Sequence, residues 1–182
     1  KLTLTDDAGK LIDIGALYNL LLYIFAEEAG KKINNVLTPK EVIGLVAELI
    51  GDNKDNNSLC DPVSGSGTLL VEVGKRVGIR GANIFGQEAN WNQYALTKMN
   101  LMLNGFKDST FFWGDSLSNP KLTDDGGLKR FDIVASIPPF ADKWATEEAE
   151  FDRYGRFQYG IPPRSQATWA YISHILASLK PN

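Results

Sequence analysis

The chain has 182 residues, 43% hydrophobic and 23% charged, which is enough apolar material for one folded domain and excludes a disordered chain. A net charge of −3 speaks against a protein that grips nucleic-acid phosphates unaided, since such proteins carry a basic excess. No run approaches the ~18 consecutive apolar residues of a membrane span, no secretory leader pattern is seen, and the single Cys60 excludes an internal disulfide and fits a reducing, cytoplasmic setting.

Residues 1–10 give no periodic signal, and Asp6-Asp7-Ala8-Gly9 reads as a turn. Over residues 12–29 the apolar positions Ile14, Leu17, Leu21, Ile24 and Phe25 recur at three- and four-residue intervals, which predicts an amphipathic helix stopped by Gly30. Thr38-Pro39-Lys40-Glu41 then reads as a helix start, with Thr38 as the cap, Pro39 at the first helical position and Glu41 at the third. That helix is expected to run to about Ile50 with Val42, Leu45, Val46 and Leu49 inward, followed by a polar loop over residues 52–58.

The rest of the chain is organised around residues 58–73, a short apolar strand, a turn of small residues and a helix carrying Leu69, Val73 and Val77 on one stripe. Gly65 and Gly67 can take backbone angles closed to other residues, and the following helix start offers unpaired N–H groups. Ile84-Phe85-Gly86-Gln87-Glu88 is a second strand ending in an acid, and Phe111-Phe112-Trp113-Gly114-Asp115 is a third. The acids Asp61, Glu88 and Asp115 follow one another at intervals of 27 residues, the length of one strand-helix-strand repeat. Successive strands of such units run parallel, so the three carboxylates share one edge of the sheet, where open α/β sheets bind ligands. Singly each acid is as well explained as a helix cap. Jointly, in register with the glycine turn, they form a nucleoside site, with Glu88 placed for ribose hydroxyls and Asp115 for an adenine amine. Gly65-Ser66-Gly67-Thr68-Leu69-Leu70 lacks the third glycine of a nicotinamide-binding turn.

Residues 91–103 read as a helix stopped by Asn104-Gly105, and residues 119–129 as a surface loop. A fourth strand, Phe131 to Ala135, leads to Ile137-Pro138-Pro139-Phe140, where two prolines fix the backbone at the same sheet edge. Beyond it Arg153, Tyr154, Arg156, Phe157, Tyr159 and Arg164 interleave basic and aromatic side chains, a pattern that suits either nucleic-acid contacts or a packed loop. A last helix is expected over residues 166–179 with Trp169, Ile172, Leu176 and Leu179 on one face, and His174 reads as structural. No metal constellation is present in the sequence.

Five segments in order resemble one family. They are Leu37-Thr38-Pro39-Lys40-Glu41-Val42, Asp61 to Gly67, Phe85 to Glu88, Ala95 to Leu101 leading to Gly114-Asp115, and Phe131 to Phe140. Together they resemble the S-adenosyl-L-methionine-dependent amino-methylating DNA methylases, most closely the modification (M) subunit of type I restriction-modification systems. The resemblance implies an α/β, Rossmann-like class I methyltransferase sheet cut short on its C-terminal side, with residues 1–34 ending a helical domain and residues 35–182 forming an incomplete catalytic core. It implies S-adenosyl-L-methionine held by Leu37, Thr38, Pro39, Asp61, Gly65, Ser66, Gly67, Thr68, Glu88 and Asp115, and a target pocket of residue 137 with Pro138, Pro139 and Phe140. It further implies DNA as substrate and assembly with a specificity (S) subunit, a restriction (R) subunit and a second M subunit. The family has Asn-Pro-Pro-Phe where this chain has Ile137-Pro138-Pro139-Phe140, and Ile137 cannot accept a hydrogen bond from a target amine. The expectation is therefore cofactor binding with impaired methylation. A non-catalytic binding module and a glutamine or RNA-base methylase are the alternatives.

Overall fold

The structure is a computed structural model that describes residues 13–28, 38–51, 57–140, 142–147 and 149–181. In chain order these form α1 (Ile14–Glu28), α2 (Lys40–Ile50), β1 (Leu59–Asp61), α3 (Thr68–Val77), β2 (Ile84–Glu88), α4 (Trp91–Leu103), β3 (Thr110–Trp113), β4 (Thr123–Asp124), β5 (Gly127–Leu128), β6 (Ile133–Val134) and α5 (Ala167–Ala177). β3, β2, β1 and β6 pair in that order, all parallel, with Leu59 opposite Ile84 on one side and Ile133 on the other. This is the Rossmann-like parallel sheet expected, with the strand order reversing direction at β1.

Both faces of the sheet are covered, and the period-2 alternation of a strand decides which residue goes where. Leu59, Ile84 and Ile133 point to one side, into a core shared with Leu69, Leu70, Val73 and Ile43 of α3 and α2. Cys60, Phe85 and Val134 point to the other, where Phe131 and Leu122 cover them. Cys60 is thus a buried small hydrophobe, as its strand position predicts. The expected stripe of α3 holds, since Leu69, Val73 and Val77 are all buried. Asn90 starts α4 by accepting from the N–H groups of Asn92 and Gln93 at 2.9 and 3.1 Å.

Several expectations are corrected. On α1 the stripe Leu17, Leu21, Ile24 and Phe25 stays exposed, while Gly15 and Asn19 are buried. Close packing on α4 sets this orientation: a Cβ on Gly15 would collide with the Asn104 side chain, and the Tyr18 hydroxyl donates to the Leu96 carbonyl at 3.2 Å. On α2 Ile43 and Ala47 are buried, Val46 is partly so, and Val42, Leu45 and Leu49 face outward. α2 begins one residue later than the capping pattern predicts, with Pro39 at the cap position and no side-chain cap from Thr38. On α5 the buried residues are Ala167, Ala170, Tyr171 and His174, whereas Trp169 and Leu176 are exposed. The segment read as a plain loop over residues 119–129 contains the β4–β5 hairpin. Residues 1–10, Gly30 and most of the loop over residues 52–58 lie outside the described residues.

Candidate functional site

The turn after β1 is built by side chains that reach it from neighbouring elements. Gly65 (φ +56°) and Gly67 (φ +75°) take the left-handed region. The Thr97 hydroxyl of α4 donates to the Gly65 carbonyl at 2.6 Å, and the Asn100 amide donates to the Ser66 carbonyl at 3.2 Å. Both side chains are fully buried. A Cβ on Gly67 would lie 2.5 Å from Thr97 Cγ2, so this glycine is required by the approach of α4. Ser66 and Thr68 are buried and hydrogen-bond each other at 2.8 Å, which makes their side chains internal supports of the turn. Sequence reasoning missed Thr97 and Asn100 as supports. The signal was available, because Gln93, Thr97, Asn100 and Asn104 run as a polar stripe down the helix over residues 91–103.

At the carboxyl ends of β1, β2 and β6 a cleft of about 450 Å³ opens, lined by Thr38, Pro39, Gly65, Asp61, Glu88 and the segment Ile137 to Phe140, among others. Asp61 is almost wholly buried and accepts from the Val63 N–H at 2.9 Å. Burial pushes its carboxyl up to about 7, only partly offset by the Ser136 hydroxyl and the Val63 N–H. Ser136 Oγ nevertheless meets no partner at hydrogen-bond geometry, so its effect on Asp61 is that of a nearby dipole. Glu88 accepts from Gly65 N–H at 2.8 Å through one oxygen and from Asn90 N–H at 2.7 Å through the other. Burial raises its pKa as well, against the lowering effect of these bonds. Each oxygen of Glu88 keeps a second lone pair for a hydroxyl in the cleft.

Asp115 does not line this cleft. Its carboxylate accepts from the Leu117 N–H at 2.8 Å, although it lies near enough to Glu88 to raise that carboxyl's pKa. Tyr171 of α5 marks where the acids converge: its phenol is raised first by burial and then by Asp115, Glu88 and Asp142. Leu37 lies outside the described residues, while Thr38 is tied to α1 by the Tyr23 hydroxyl, which donates to its carbonyl at 3.0 Å.

Ile137 lines the cleft and packs against the main core, presenting only hydrocarbon. The Pro139 carbonyl accepts from the Thr168 hydroxyl at 3.0 Å, while Phe140 is 77% exposed at the mouth. Beyond it, part of the basic and aromatic segment is structural, which corrects the nucleic-acid reading for two of its members. Arg156 is buried in an ion pair with Asp152 at 2.8 Å and donates to the carbonyls of Ser116 and Leu117 at 3.1 and 2.8 Å. Phe157 is buried against Trp144. His174 is structural too, its imidazole held down to about 3 by burial and by Arg156 beside it. Tyr159 remains 91% exposed.

The fit to a sulfonium nucleoside follows from these donors. The cleft lies within the ~300–1,000 Å³ of small-molecule sites, carries the acid Glu88 at the end of β2, whose oxygens can accept from paired hydroxyls, and has a second acid, Asp61, with a helix start at Thr38 and Pro39 on its walls. Among the described residues no group of acids, cysteines or histidines could hold a metal ion, and no helix is long and apolar enough to cross a membrane.

Comparison with known proteins decides the family. The family model described as N-6 DNA Methylase matches residues 11–182. The chain belongs to this family. A type I restriction enzyme methylase subunit of Haemophilus influenzae is 30% identical over 93% of the chain and 38% of its own length. One from Methanocaldococcus jannaschii is 34% identical over 90% of the chain and 29% of its own length. The crystal structure of the type I restriction-modification system methyltransferase subunit from Streptococcus thermophilus is 28% identical, with a TM-score of 0.67 over 80% of this chain and 32% of that one. The chain therefore spans about a third of the length of such relatives.

Proposed function

We propose that this chain binds S-adenosyl-L-methionine in the cleft at the carboxyl edge of its sheet and serves methyl transfer to adenine N6 in DNA, within a type I restriction-modification system. The observation that carries the reading is the placement of Asp61, Glu88 and Pro138 to Phe140 on one cleft, although they come from three different strands. The bound group supplies an electrophilic methyl on a sulfonium. Glu88 takes the ribose hydroxyls, Asp61 and the turn at Gly65 face the amino-acid portion together with Thr38 and Pro39, and Ser66, Gly67 and Thr68 support the turn from beneath.

A target adenine swung out of the duplex stacks on the exposed Phe140. The Pro138 carbonyl takes one N–H of the target amine. Catalysis by such a site is positioning and electrostatics: accepting hydrogen bonds from the amine localises the nitrogen lone pair for attack.

The net charge of −3 leaves DNA phosphates to a partner. We read that partner as a specificity subunit, in an assembly that includes a restriction subunit and a second methylase subunit in the cytoplasm. Residues 1–34 are read as the end of a preceding helical unit and residues 35–182 as the catalytic core. Ile137 favours a second reading, a cofactor-binding chain with little transfer activity of its own. Labelled methyl uptake from S-adenosyl-L-methionine by unmethylated DNA, RNA and protein, measured on the assembled protein, separates the readings. Uptake by DNA supports the first, none with cofactor bound supports the second, and uptake by RNA or glutamine side chains overturns both.

A further inference from the structure

We propose that Asp142 supplies the hydrogen-bond acceptor that Ile137 lacks, so that the target amine is held between the Asp142 carboxylate and the Pro138 carbonyl. The inference rests on the methylase reading above and assigns a residue within that site.

Two consecutive residues of α5 set the geometry. The Thr168 hydroxyl donates to the Pro139 carbonyl at 3.0 Å, and the Ala167 N–H donates to the Asp142 carbonyl at 3.0 Å. The start of α5 therefore holds the backbones of Pro139 and Asp142 side by side on one wall of the cleft, and both residues line it. Behind Asp142 the chain is strapped again, by Trp144 N–H to the Arg164 carbonyl at 3.1 Å and by the Trp144 indole N–H to the Pro163 carbonyl at 3.1 Å. An acceptor fixed at both flanks in this way is preorganised.

The Asp142 side chain has no structural duty that competes with this role. Among the described residues it forms no ion pair and caps no helix, since the N–H of Ala167 goes to its backbone oxygen and the cap position of α5 is Gln166. The other cleft acceptors are committed or misplaced. Asp61 and Glu88 hold the turn after β1, and the Ser64 hydroxyl, tied to the Gln87 carbonyl of β2 at 3.3 Å, belongs to that same turn rather than to the proline segment. Gln93 stands on the first turn of α4, behind β2, whereas the proline segment follows β6, with β1 between them.

A carboxylate suits both halves of the reaction. It accepts the amine hydrogen more strongly than an amide oxygen would. In the transfer the nitrogen lone pair forms the nitrogen–carbon bond, the carbon–sulfur bond breaks with its electron pair remaining on sulfur, and the nitrogen sheds one proton. Asp142 receives that proton and, being exposed, passes it to water.

The test uses the assembled protein, unmethylated genomic DNA and labelled S-adenosyl-L-methionine. Asp142→Ala is expected to lower kcat by about 100-fold or more, with cofactor affinity within about twofold of the parent and the thermal midpoint essentially unchanged, as for an exposed substitution. Asp142→Asn retains part of the rate, because its amide oxygen still accepts the hydrogen bond but cannot take the proton, and adding Ile137→Asn to Asp142→Ala restores transfer to the level of Asp142→Asn. An unchanged rate in Asp142→Ala overturns the proposal and leaves the methylase reading standing. So does a parent that is silent until Ile137→Asn switches it on. If cofactor binds but neither the parent nor Ile137→Asn labels DNA, the methylase reading fails and the proposal fails with it.

Discussion

Replacing Asp61 by Asn separates what this carboxylate does for the cleft from what it costs the fold. The side chain is 2% exposed, and burial lifts its pKa from the usual 3.8 to about 7. Below pH 4 the carboxyl is protonated whether the chain is folded or not, and its titration costs nothing. As pH rises from about 4 to 7 the unfolded chain ionises freely while the folded chain resists, so native stability is lost across that window and the loss is constant above it. At about 1.4 kcal/mol per pKa unit the loss reaches about 4 kcal/mol. Asn keeps an oxygen for the Val63 N–H, much as the protonated acid does, and the carboxylate's own bond to that N–H is already contained in the raised pKa. Asp61→Asn should therefore be more stable than the parent by about 4 kcal/mol at pH 8, with the advantage vanishing near pH 4. Urea unfolding of both proteins from pH 4 to 8 measures the difference directly. A variant less stable than its parent at pH 8, or a difference independent of pH, would refute the argument that Asp61 is held against its solvation. The same variant should bind cofactor more weakly, which makes this acid a functional residue retained at the expense of stability.

Asp132 titrates with the opposite sign. It receives Lys180 at 2.8 and 2.9 Å and the Ser58 N–H and hydroxyl, which hold its carboxyl down at about 2. Its contribution is present above pH 4 and lost as pH falls towards 2; Asp132→Ala should cost about 1 kcal/mol near neutrality after solvent screening, read by urea midpoint. Gly67→Ala should destabilise by about 2–3 kcal/mol, since it adds a left-handed strain to a clash with Thr97. Pairing it with Thr97→Ser, which removes the methyl and keeps the hydroxyl bonds, should recover part of that loss in thermal unfolding. Arg156→Ala should cost about 3–5 kcal/mol by stranding the buried Asp152. A fully stable Arg156→Ala variant with weakened DNA binding would restore the nucleic-acid reading of that residue.

The site was legible where the chemistry needs particular residues at particular spacings. Asp61 and Glu88 announce themselves as acids at strand ends in register with Gly65, and the proline pair after β6 is placed by the same logic. What periodicity could not give is which face of a helix meets the rest of the molecule. Leu17 and Leu21 on α1, Leu45 and Leu49 on α2, and Trp169 on α5 form good apolar stripes, yet the faces that pack are chosen by small or polar residues such as Gly15, Ala47 and Ala170. On α1 and α5 close approach through small residues selects the face that packs, and on α2 it joins the burial of Ile43. Long-range polar anchors were equally silent: nothing near Gly65 in sequence points to Thr97, and nothing near Pro139 points to Thr168.

Calorimetric titration with S-adenosyl-L-homocysteine tests the central claim most directly, comparing the parent with Glu88→Ala. The account predicts one site per chain in the parent and about 100-fold weaker binding in the variant, the loss expected when two hydroxyls give up a charged acceptor. No saturable heat in the parent, or equal affinity in the two proteins, would contradict it.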